Sequence, residues 1–245
     1  MTFSGFPPEA VEFYQQLELH NTREWWVAHK ATYQDAVRVP MLELAAALED
    51  EFGPARLFRP NRDTRFSADK SPYKTHQGAF VEVTTGVGYY LHLSAEGLFV
   101  AGGFHQGEPG QVARYRAAVD DPLRGAELAR VIEELSGTGL ELGGDVMRTR
   151  PRGVPSDHPR VELLRHRSLI ASRQAGEPPW LSTPAALDHV REDWTLLRPL
   201  VEWLAATLGP TPASALASAL NPTQDPTDVD PPGGPARGAR GSGRR

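Results

Sequence analysis

Three short apolar segments separated by turn residues constrain the fold of this chain most. They are "GAFVEVTTG" at 78–86, "GYYLHLS" at 88–94 and "LFVAGGFH" at 98–105. All three are rich in aromatic and β-branched residues, which is typical of strands, and Glu96-Gly97 suits a tight turn. We therefore expect consecutive antiparallel strands at roughly 78–86, 87–94 and 98–105, with a bulge or close backbone approach at Gly102-Gly103.

Helical spacing of apolar residues precedes this meander. It predicts helices over 8–19, after Asn21, and from Pro40 to the break at Gly53-Pro54. Asn21, with Glu24 three residues on, has the spacing of a capping box for the second helix. We expect these helices to cover one face of the sheet.

Helical spacing also follows the meander. It predicts helix over 109–135 with a break at Asp121-Pro122, then, after "TGLELGG", a loop, a short helix from Pro159 and a strand at "SLIASR". Two closing helices are expected, divided at Pro199. Helices grouped before and after a contiguous meander fit the α+β class better than an alternation of strands and helices.

Composition separates a domain from a tail. Residues 1–208 are expected to form a single α+β domain, and at 40% hydrophobic and 23% charged residues the chain has ordinary globular values. Residues 209–245 are rich in Pro, Gly and Arg and are expected to be a disordered tail. We expect deletion of this tail to leave the melting temperature nearly unchanged, because it lacks apolar surface to offset the entropy of ordering.

The absence of cysteine excludes disulfides, Cys-ligated zinc, iron–sulfur clusters and a thiol nucleophile. The N-terminus lacks the cationic start and apolar run of a signal peptide, and no apolar stretch is long enough to span a membrane. We therefore expect a soluble cytoplasmic protein without contact to membranes. The sequence indicates no oligomeric state.

Positive charge is concentrated in two stretches of a chain whose net charge is −5. Residues 59–76 hold five cationic side chains and two carboxylates, and residues 148–167 hold six and two. Concentrating like charge costs self-repulsion unless a counter-ion, a partner carboxylate or a ligand offsets it. We therefore expect the two stretches to build one basic, partly concave site for a small anionic ligand.

The first stretch supplies most of the candidate residues. If residues 59–66 are extended, Asp63 shares a face with Arg59 and Arg65, while Phe66 on the other face anchors the segment in the core. The cations of the stretch are expected to bind the anion, and its tyrosine to stack or donate a hydrogen bond. The candidate ligand-binding residues of both stretches are Arg59, Arg62, Asp63, Arg65, Lys70, Tyr73, Lys74, Arg150, Arg152 and His158.

The second stretch has the same ambiguity between binding and structure. Arg150 and Arg152 lie on one side of an extended segment, which suits a shared anion. Asp157 is expected to cap the helix near Pro159, and His158 is either a proton carrier or a surface residue without function. Equally, the Arg–Asp pairs of the first stretch can serve only to tie a loop to the sheet.

Metal and cofactor sites are not indicated. His92 is expected opposite Phe99 or Val100, which leaves His105 on the order of 17–20 Å away along the neighbouring strand, too far to share an ion. The glycines fit neither a phosphate-binding loop nor a dinucleotide-binding turn. We expect no metal and no cofactor.

The charged motif also carries a family resemblance. The run Arg59-x-x-Arg62-Asp63-x-Arg65-Phe66, followed by Lys70 and Tyr73, resembles the signature of the bacterial family called domain of unknown function 2461. Supporting stretches are "NTREWW", "YYLHLSAEGLFVAGGF", "RYR" at 114–116, "RPRG" at 150–153 and "DHPR" at 157–160. The resemblance covers residues 3 to about 208. It implies no reaction, since the family carries no activity to transfer.

Three classes of function remain open at the level of sequence. The first is an enzyme or a sensor for a small phosphorylated or otherwise anionic molecule. The second is a nucleic-acid-associated protein, which the interleaved Arg, Lys and aromatic residues favour and the negative net charge opposes. The third is a structural or partner-binding module whose charged motif only stabilises the fold.

Overall fold

A computed structural model describes residues 2–63, 65, 69–105 and 109–209 of the chain. The helices are α1 (Glu9–Leu19), α2 (Arg23–Thr32), α3 (Val39–Phe52), α4 (Pro109–Asp120), α5 (Pro122–Leu135), α6 (Val161–Leu164) and α7 (Ala185–Leu208). The strands are β1 (Ala55–Leu57), β2 (His76–Thr84), β3 (Val87–Ser94), β4 (Gly97–Phe104), β5 (Glu141–Gly143) and β6 (Leu169–Gly176). A π-helical turn, Tyr33–Arg38, joins α2 to α3, and a 3₁₀ turn, Pro179–Ser182, precedes α7.

The strands form one sheet in the order β1-β2-β3-β4-β6-β5, and each neighbouring pair is antiparallel. The predicted meander is confirmed, because β2, β3 and β4 are consecutive neighbours. The α+β class is confirmed as well. Two short edge strands were not predicted: β1, and β5 inside the "TGLELGG" segment. With three residues each, they are too short to show a strand period in the sequence.

One face of the sheet packs against helices and holds the main core. Helices α1, α3 and α7 contact the strands there, and α7 lies across β3 and β4. Leu91 and Val100 point from the sheet into this core, where Trp194, Leu197 and Val201 of α7 are buried against them. Helix α7 approaches closely because β4 has no side chain at position 102, where an added Cβ would lie 3.1 Å from side-chain atoms of Leu197 and Val201.

The predicted division of the closing helix at Pro199 is wrong. Helix α7 runs unbroken for 24 residues with Pro199 inside it. A proline within a helix costs about 3 kcal/mol, whereas each large apolar side chain buried along α7 contributes about 1.5–3 kcal/mol. Trp194, Leu197, Leu200 and Leu204 are fully buried, so burial of the helix face outweighs the proline.

Helix caps were predicted with mixed success. Thr22 caps α2, since its side chain accepts from Trp25 N, and Asn21 therefore does not have its predicted capping role. Asp121 accepts from the backbone N–H groups of Leu123 and Arg124 at the start of α5, which confirms the predicted break there. The predicted end of α3 is also confirmed, with Gly53 at a φ of 100°.

Two further expectations concern the C-terminal tail and helices that could span a membrane. The predicted tail begins at Gly209, the last residue that the structure describes, so residues 210–245 lie outside it. No helix in the described ranges is long and apolar enough to cross a membrane.

Adjacent glycines in β4 provide a matched test of the sheet. Gly103 has a φ of 143°, and a Cβ there would lie 2.2 Å from the carbonyl oxygen of Leu169 on β6, a backbone atom that cannot move aside. We expect Gly103→Ala to lower the free energy of unfolding by at least about 2 kcal/mol, since backbone strain and overpacking each cost roughly 1–3 kcal/mol. Gly102→Ala meets only side chains and should cost less in the same denaturant titration. Equal costs would contradict the close approach of β4 and β6.

Candidate functional site

The second face of the sheet carries a separate set of aromatic and cationic residues. Tyr90, Phe99 and Ala101 form a buried cluster distinct from the main core, with Phe58 and Phe80 packed against it. Strand alternation places these side chains opposite the helices, since their neighbours in β3 and β4 belong to the main core. We use the name β-face cluster for Arg56, Phe58, Lys74, His76, Tyr90, His92 and Phe99.

Contacts between rings connect the centre of the β-face cluster. His92 stacks on Phe99 with ring centroids 4.7 Å apart, and the two residues pair across β3 and β4 as expected. The ring of His92 lies 5.2 Å from that of His76 and 5.5 Å from that of Tyr90. Tyr90 leans over Gly78, where an added Cβ would lie 2.8 Å from the phenol oxygen. The missing side chain at position 78 makes room for this ring.

His92 is the residue of the cluster best placed to exchange a proton. Its Nδ1 is buried and meets no hydrogen-bond partner among the described residues, although the residue as a whole keeps some exposure. Burial, with a smaller contribution from His76, holds the pKa of His92 well below its ordinary value. The imidazole is therefore neutral at physiological pH, and a neutral imidazole can accept a proton or a hydrogen bond.

Two cations lie at the β1 end of the cluster. The Arg56 guanidinium carbon is 5.5 Å from the centroid of the Phe58 ring, and the Lys74 Nζ is 5.4 Å from the same centroid. Phe58 in turn lies 6.1 Å from Tyr90. Lys74 is only 6% exposed, and a charge in such a low-dielectric position acts on nearby anions more strongly than an exposed one.

The charged motif begins and ends beside this cluster as a narrow hairpin. Asn61 and Tyr73 form an antiparallel bridge, Arg62 N donates to Pro72 O, and Lys74 N donates to Pro60 O. The second arm of the hairpin, at Tyr73, packs against helix α2. The motif is therefore a loop clamped at its neck.

Asn21 fixes the neck of the loop through hydrogen bonds that were not predicted from the sequence. Its side chain accepts from Tyr73 N at 3.1 Å and donates to Tyr73 O at 2.9 Å, so it satisfies both backbone groups of that residue. The Tyr73 ring is buried and stacks on Trp26, with centroids 4.1 Å apart and planes 9° apart. Tyr73 therefore anchors the loop to α2, and its ring is already engaged within the protein.

The arginines near the tip of the loop pair with carboxylates. Arg65 donates through its side chain to Asp63, which confirms one of the two contacts predicted for that carboxylate, and Arg62 pairs with Asp69 across the loop. Hydrogen bonds from Ser71, together with Arg62, lower the pKa of Asp69 to about 2. These pairs give the loop its shape, which is the structural role left open by the sequence.

The other motif residues differ in their positions. Lys74 is a member of the β-face cluster, whereas Arg59 and Lys70 lie exposed on the loop and make further contacts there. Arg65 is 76% exposed at its side chain. Phe66, which was predicted to anchor the loop in the core, lies outside the described residues. Of the predicted site residues, the structure thus brings Lys74 to the aromatic face and places Tyr73 beside it.

The second basic stretch lies at the opposite corner of the sheet. The motif loop leads into the start of β2 near His76, whereas residues 148–167 lead into the start of β6 at Leu169. The row of paired residues that contains Leu169 runs through Phe104 and Val87 to Thr84, at the far end of β2. The two corners are roughly 14 Å apart across three strand spacings and about 25 Å apart along the strands. The two stretches therefore enter the sheet at opposite corners, and the cleft that they are expected to share stays a prediction.

Three of the six arginines of the second stretch bind backbone carbonyls. Arg160 donates to the carbonyls of Val119, Asp120 and Asp121 at the end of α4, and Arg150 donates to Val154 O. Arg165 bonds Met147 O and Arg148 O, and Arg167 pairs with Asp145. Arg152 is exposed. This stretch fastens a long connection to α4 and β6, which explains its charge without a ligand.

The structure assigns contacts within the protein to His158 and no capping role to Asp157. Nδ1 of His158 accepts from Arg160 N at 3.1 Å, and its Nε2 lies 3.2 Å from Asp120 Oδ1. The imidazole thus bridges the end of α4 to the start of α6. No side chain caps α6, so the predicted capping role of Asp157 is wrong.

Sequence reasoning missed the centre of the site. Arg56, Phe58, Tyr90 and His76 were not among the predicted site residues, and His92 was considered only as a metal ligand. The expected pairing of His92 with Phe99 was a usable signal, because the pleat then places Tyr90 and His92 on one face of the strand. In the described part of the chain, no three His, Asp or Glu side chains converge as a metal site requires.

Comparison with known proteins gives one match. The family model described as "Conserved hypothetical protein (DUF2461)" matches residues 9–203. No curated protein and no solved structure matches the chain. The matched range includes every element from α1 to most of α7, and with it the β-face cluster and the motif loop.

The structural role of the second stretch can be tested by two arginine substitutions. Arg160→Ala leaves three carbonyls at the end of α4 without their donor, and we expect a loss of about 1–3 kcal/mol in the free energy of unfolding. Arg152→Ala removes an exposed side chain of the same stretch and should change stability by less than about 0.5 kcal/mol. Urea denaturation of both variants measures the difference, and similar small losses would contradict the assignment.

The state of His92 can be tested through pH. Because its pKa is lowered in the folded protein, the unfolded chain binds more protons, and stability is lost as pH falls through the unfolded pKa of about 6.5. Between pH 7 and pH 5 the unfolding free energy of the wild type should fall as the pH falls. We expect this slope to be smaller in His92→Gln, by at most about 1.4 kcal/mol per pH unit. Tyr90→Phe, in the same cluster, should keep the wild-type slope. Parallel curves for wild type and His92→Gln would show that His92 titrates normally.

Proposed function

The chain belongs to the family of conserved hypothetical proteins DUF2461, and from the geometry of the β-face cluster we propose that it binds a small anionic ligand, phosphorylated or carboxylated, on the face of its sheet opposite α7. The observation that carries the proposal is the meeting of Arg56 and Lys74 with three aromatic rings and two imidazoles on this face. The motif loop borders the same place.

Charge supports the anionic character of the ligand. Arg56 and Lys74 lie on one ring, and their positive potential acts in a chain whose net charge is −5. A local positive site on an acidic body selects small anions, since larger polyanions also meet the repulsive surface around it. Arginine and lysine are the side chains that most often hold phosphate and carboxylate groups.

The aromatic rings support a ligand with a planar or apolar part. Phe58, Tyr90 and Phe99 form a continuous series of rings whose centroids lie 6.1 and 6.2 Å apart. Binding sites for small molecules commonly combine such apolar walls with a few placed polar groups. Tyr90 and His92 supply those polar groups at the centre.

An enzyme and a sensor differ in what they require of His92. A sensor needs only the cations and the rings. An enzyme at this site would use the neutral imidazole of His92 as the group that accepts a proton from the ligand. The carboxylates of the motif are less suited to this role, because Asp63 and Asp69 are paired with arginines and the pKa of Asp69 is lowered to about 2.

Nucleic acid is the less favoured partner. Two arginines of the motif loop, Arg62 and Arg65, are paired with carboxylates, and the second basic stretch lies at the other corner of the sheet. A continuous basic surface, which duplex binding requires, is therefore not formed by these two stretches.

A thermal-shift titration tests the proposal. Inorganic phosphate, pyrophosphate, adenosine monophosphate and citrate serve as probes for the anionic group. A probe that binds the site should raise the melting temperature saturably, by about 5–10 °C at 100 times its dissociation constant, which corresponds to about 2.7 kcal/mol. Arg56→Met and Lys74→Met should each remove the shift, and Arg152→Met, a matched loss of charge at the opposite corner, should keep it.

Three results would contradict the proposal. The first is a shift that survives both Arg56→Met and Lys74→Met. The second is the loss of the shift in Arg152→Met. The third is binding to duplex DNA with a logarithmic salt slope of about 0.9 per phosphate contact while none of the small anions shifts the melting temperature.

A further inference from the structure

A cavity lies on the other side of the sheet, away from the β-face cluster. It has a volume of about 500 Å³, opens to solvent, and is lined by residues of β4, β6, the 3₁₀ turn and the first half of α7. This volume is within the range of sites that hold small organic molecules, about 300–1,000 Å³. The proposed function does not use this cavity, since the sheet separates it from Arg56, Lys74 and His92.

The walls of the cavity are mainly apolar. Leu98 and Val100 of β4 form the floor, and Leu196 of α7 closes one side. Trp180 stands at the entrance, where it stacks on His189 with ring centroids 4.1 Å apart and planes 27° apart. An indole fixed by stacking offers a flat surface for an apolar or cationic group.

The charged groups of the cavity are two carboxylates and one guanidinium. Arg173 lies 3.0 Å from Asp193 Oδ1 and donates to Thr138 O at 2.6 Å, so its charge is already engaged by protein groups. Glu192, mostly exposed, lies at the rim. With one positive group against Asp193 and Glu192, the cavity has a negative excess.

Asp193 carries an incompletely balanced charge. Its side chain is only 11% exposed, and burial raises its pKa even though Arg173 acts in the opposite direction. A further cation near Asp193 therefore stabilises the ionised form of this carboxylate. A cation supplied by a ligand meets this requirement, and the apolar walls beside it suit the remainder of such a molecule.

We propose that this cavity is a binding site for a small organic cation, an amine attached to an apolar or aromatic body. The ammonium group is held by Asp193 and Glu192, and the body lies between Trp180 and the floor formed by Leu98 and Val100. Arg173 positions Asp193 and repels ligands that carry a second positive charge.

Three isosteric probes separate the contribution of charge from that of shape. Phenethylamine, 2-phenylethanol and 3-phenylpropionate share an aromatic body and differ in having a cationic, neutral or anionic head. The full chain is titrated with each at pH 8, so that protonation of imidazoles adds no positive charge, and the melting temperature and tryptophan fluorescence are recorded. We expect saturable binding for the amine alone.

Substitutions of the lining residues test whether phenethylamine binds in this cavity. Asp193→Asn should raise the dissociation constant of phenethylamine roughly tenfold, or about 1.4 kcal/mol, and Glu192→Gln and Trp180→Leu should each weaken binding while leaving the folded state intact. Asp188→Asn, an exposed carboxylate one turn earlier on α7 that does not line the cavity, is the matched control and should bind normally. Glu192→Gln and Trp180→Leu keep the test decisive if Asp193→Asn proves unstable.

Each of the remaining outcomes overturns the inference. Equal binding of the alcohol would show an apolar cavity without selection for charge, and preferred binding of the carboxylate would make Arg173 the recognition group. Absence of binding by all three probes, or unchanged binding in Glu192→Gln and Trp180→Leu, would remove the site. None of these results bears on the β-face cluster, because Arg56→Met and Lys74→Met should leave phenethylamine binding unchanged.

Discussion

The packing of α7 against the centre of the sheet determines which face of the sheet forms the main core. The β-face cluster lies on the other face. The buried residues of α7, among them Trp194, Leu197 and Val201, cover β3 and β4 on one side, and Gly102 permits the close approach. Helices α1 and α3 extend the same layer. Because the main core forms entirely on this side, the aromatic and basic side chains of alternate strand positions are gathered on the other. The β-face cluster is thus a consequence of strand alternation against a helix layer that covers a single face.

The two basic stretches show how similar composition can serve different ends. In residues 148–167, arginines such as Arg160 and Arg165 bind backbone carbonyls and hold a long connection to α4 and β6. In the motif loop, Arg62 and Arg65 pair with carboxylates, while Asn21 and Trp26 hold the neck. What the loop contributes to the face is Lys74, carried to Phe58 by the returning strand of the hairpin. Charge density thus singled out Lys74, but it did not reveal Arg56 or His76 of the same face.

Sequence reasoning predicted the elements better than it predicted their partners. The meander, the order of helices and the break at Asp121 follow from local periodicity and capping chemistry, and these were confirmed. The unbroken α7 was missed because burial of a whole helix face outweighs one proline, a tertiary effect that no local pattern at Pro199 reveals. The role of Asn21 was missed for a similar reason: its partner Tyr73 is 52 residues away in the sequence. The relative placement of the two basic stretches could not be predicted locally, because it depends on sheet order, which places β6 beyond β4 and reverses its direction.

The proposed ligand site lies on the sheet face opposite α7, at His76 and His92. It is tested most directly by nitrogen-15 NMR of the imidazole side chains of the chain's eight histidines during a titration with inorganic pyrophosphate. The account predicts saturable chemical-shift changes that are largest at His76 and His92, with His158 and His189 unchanged. Changes confined to His158, at the corner held by the second basic stretch, or no change at any histidine, would contradict it.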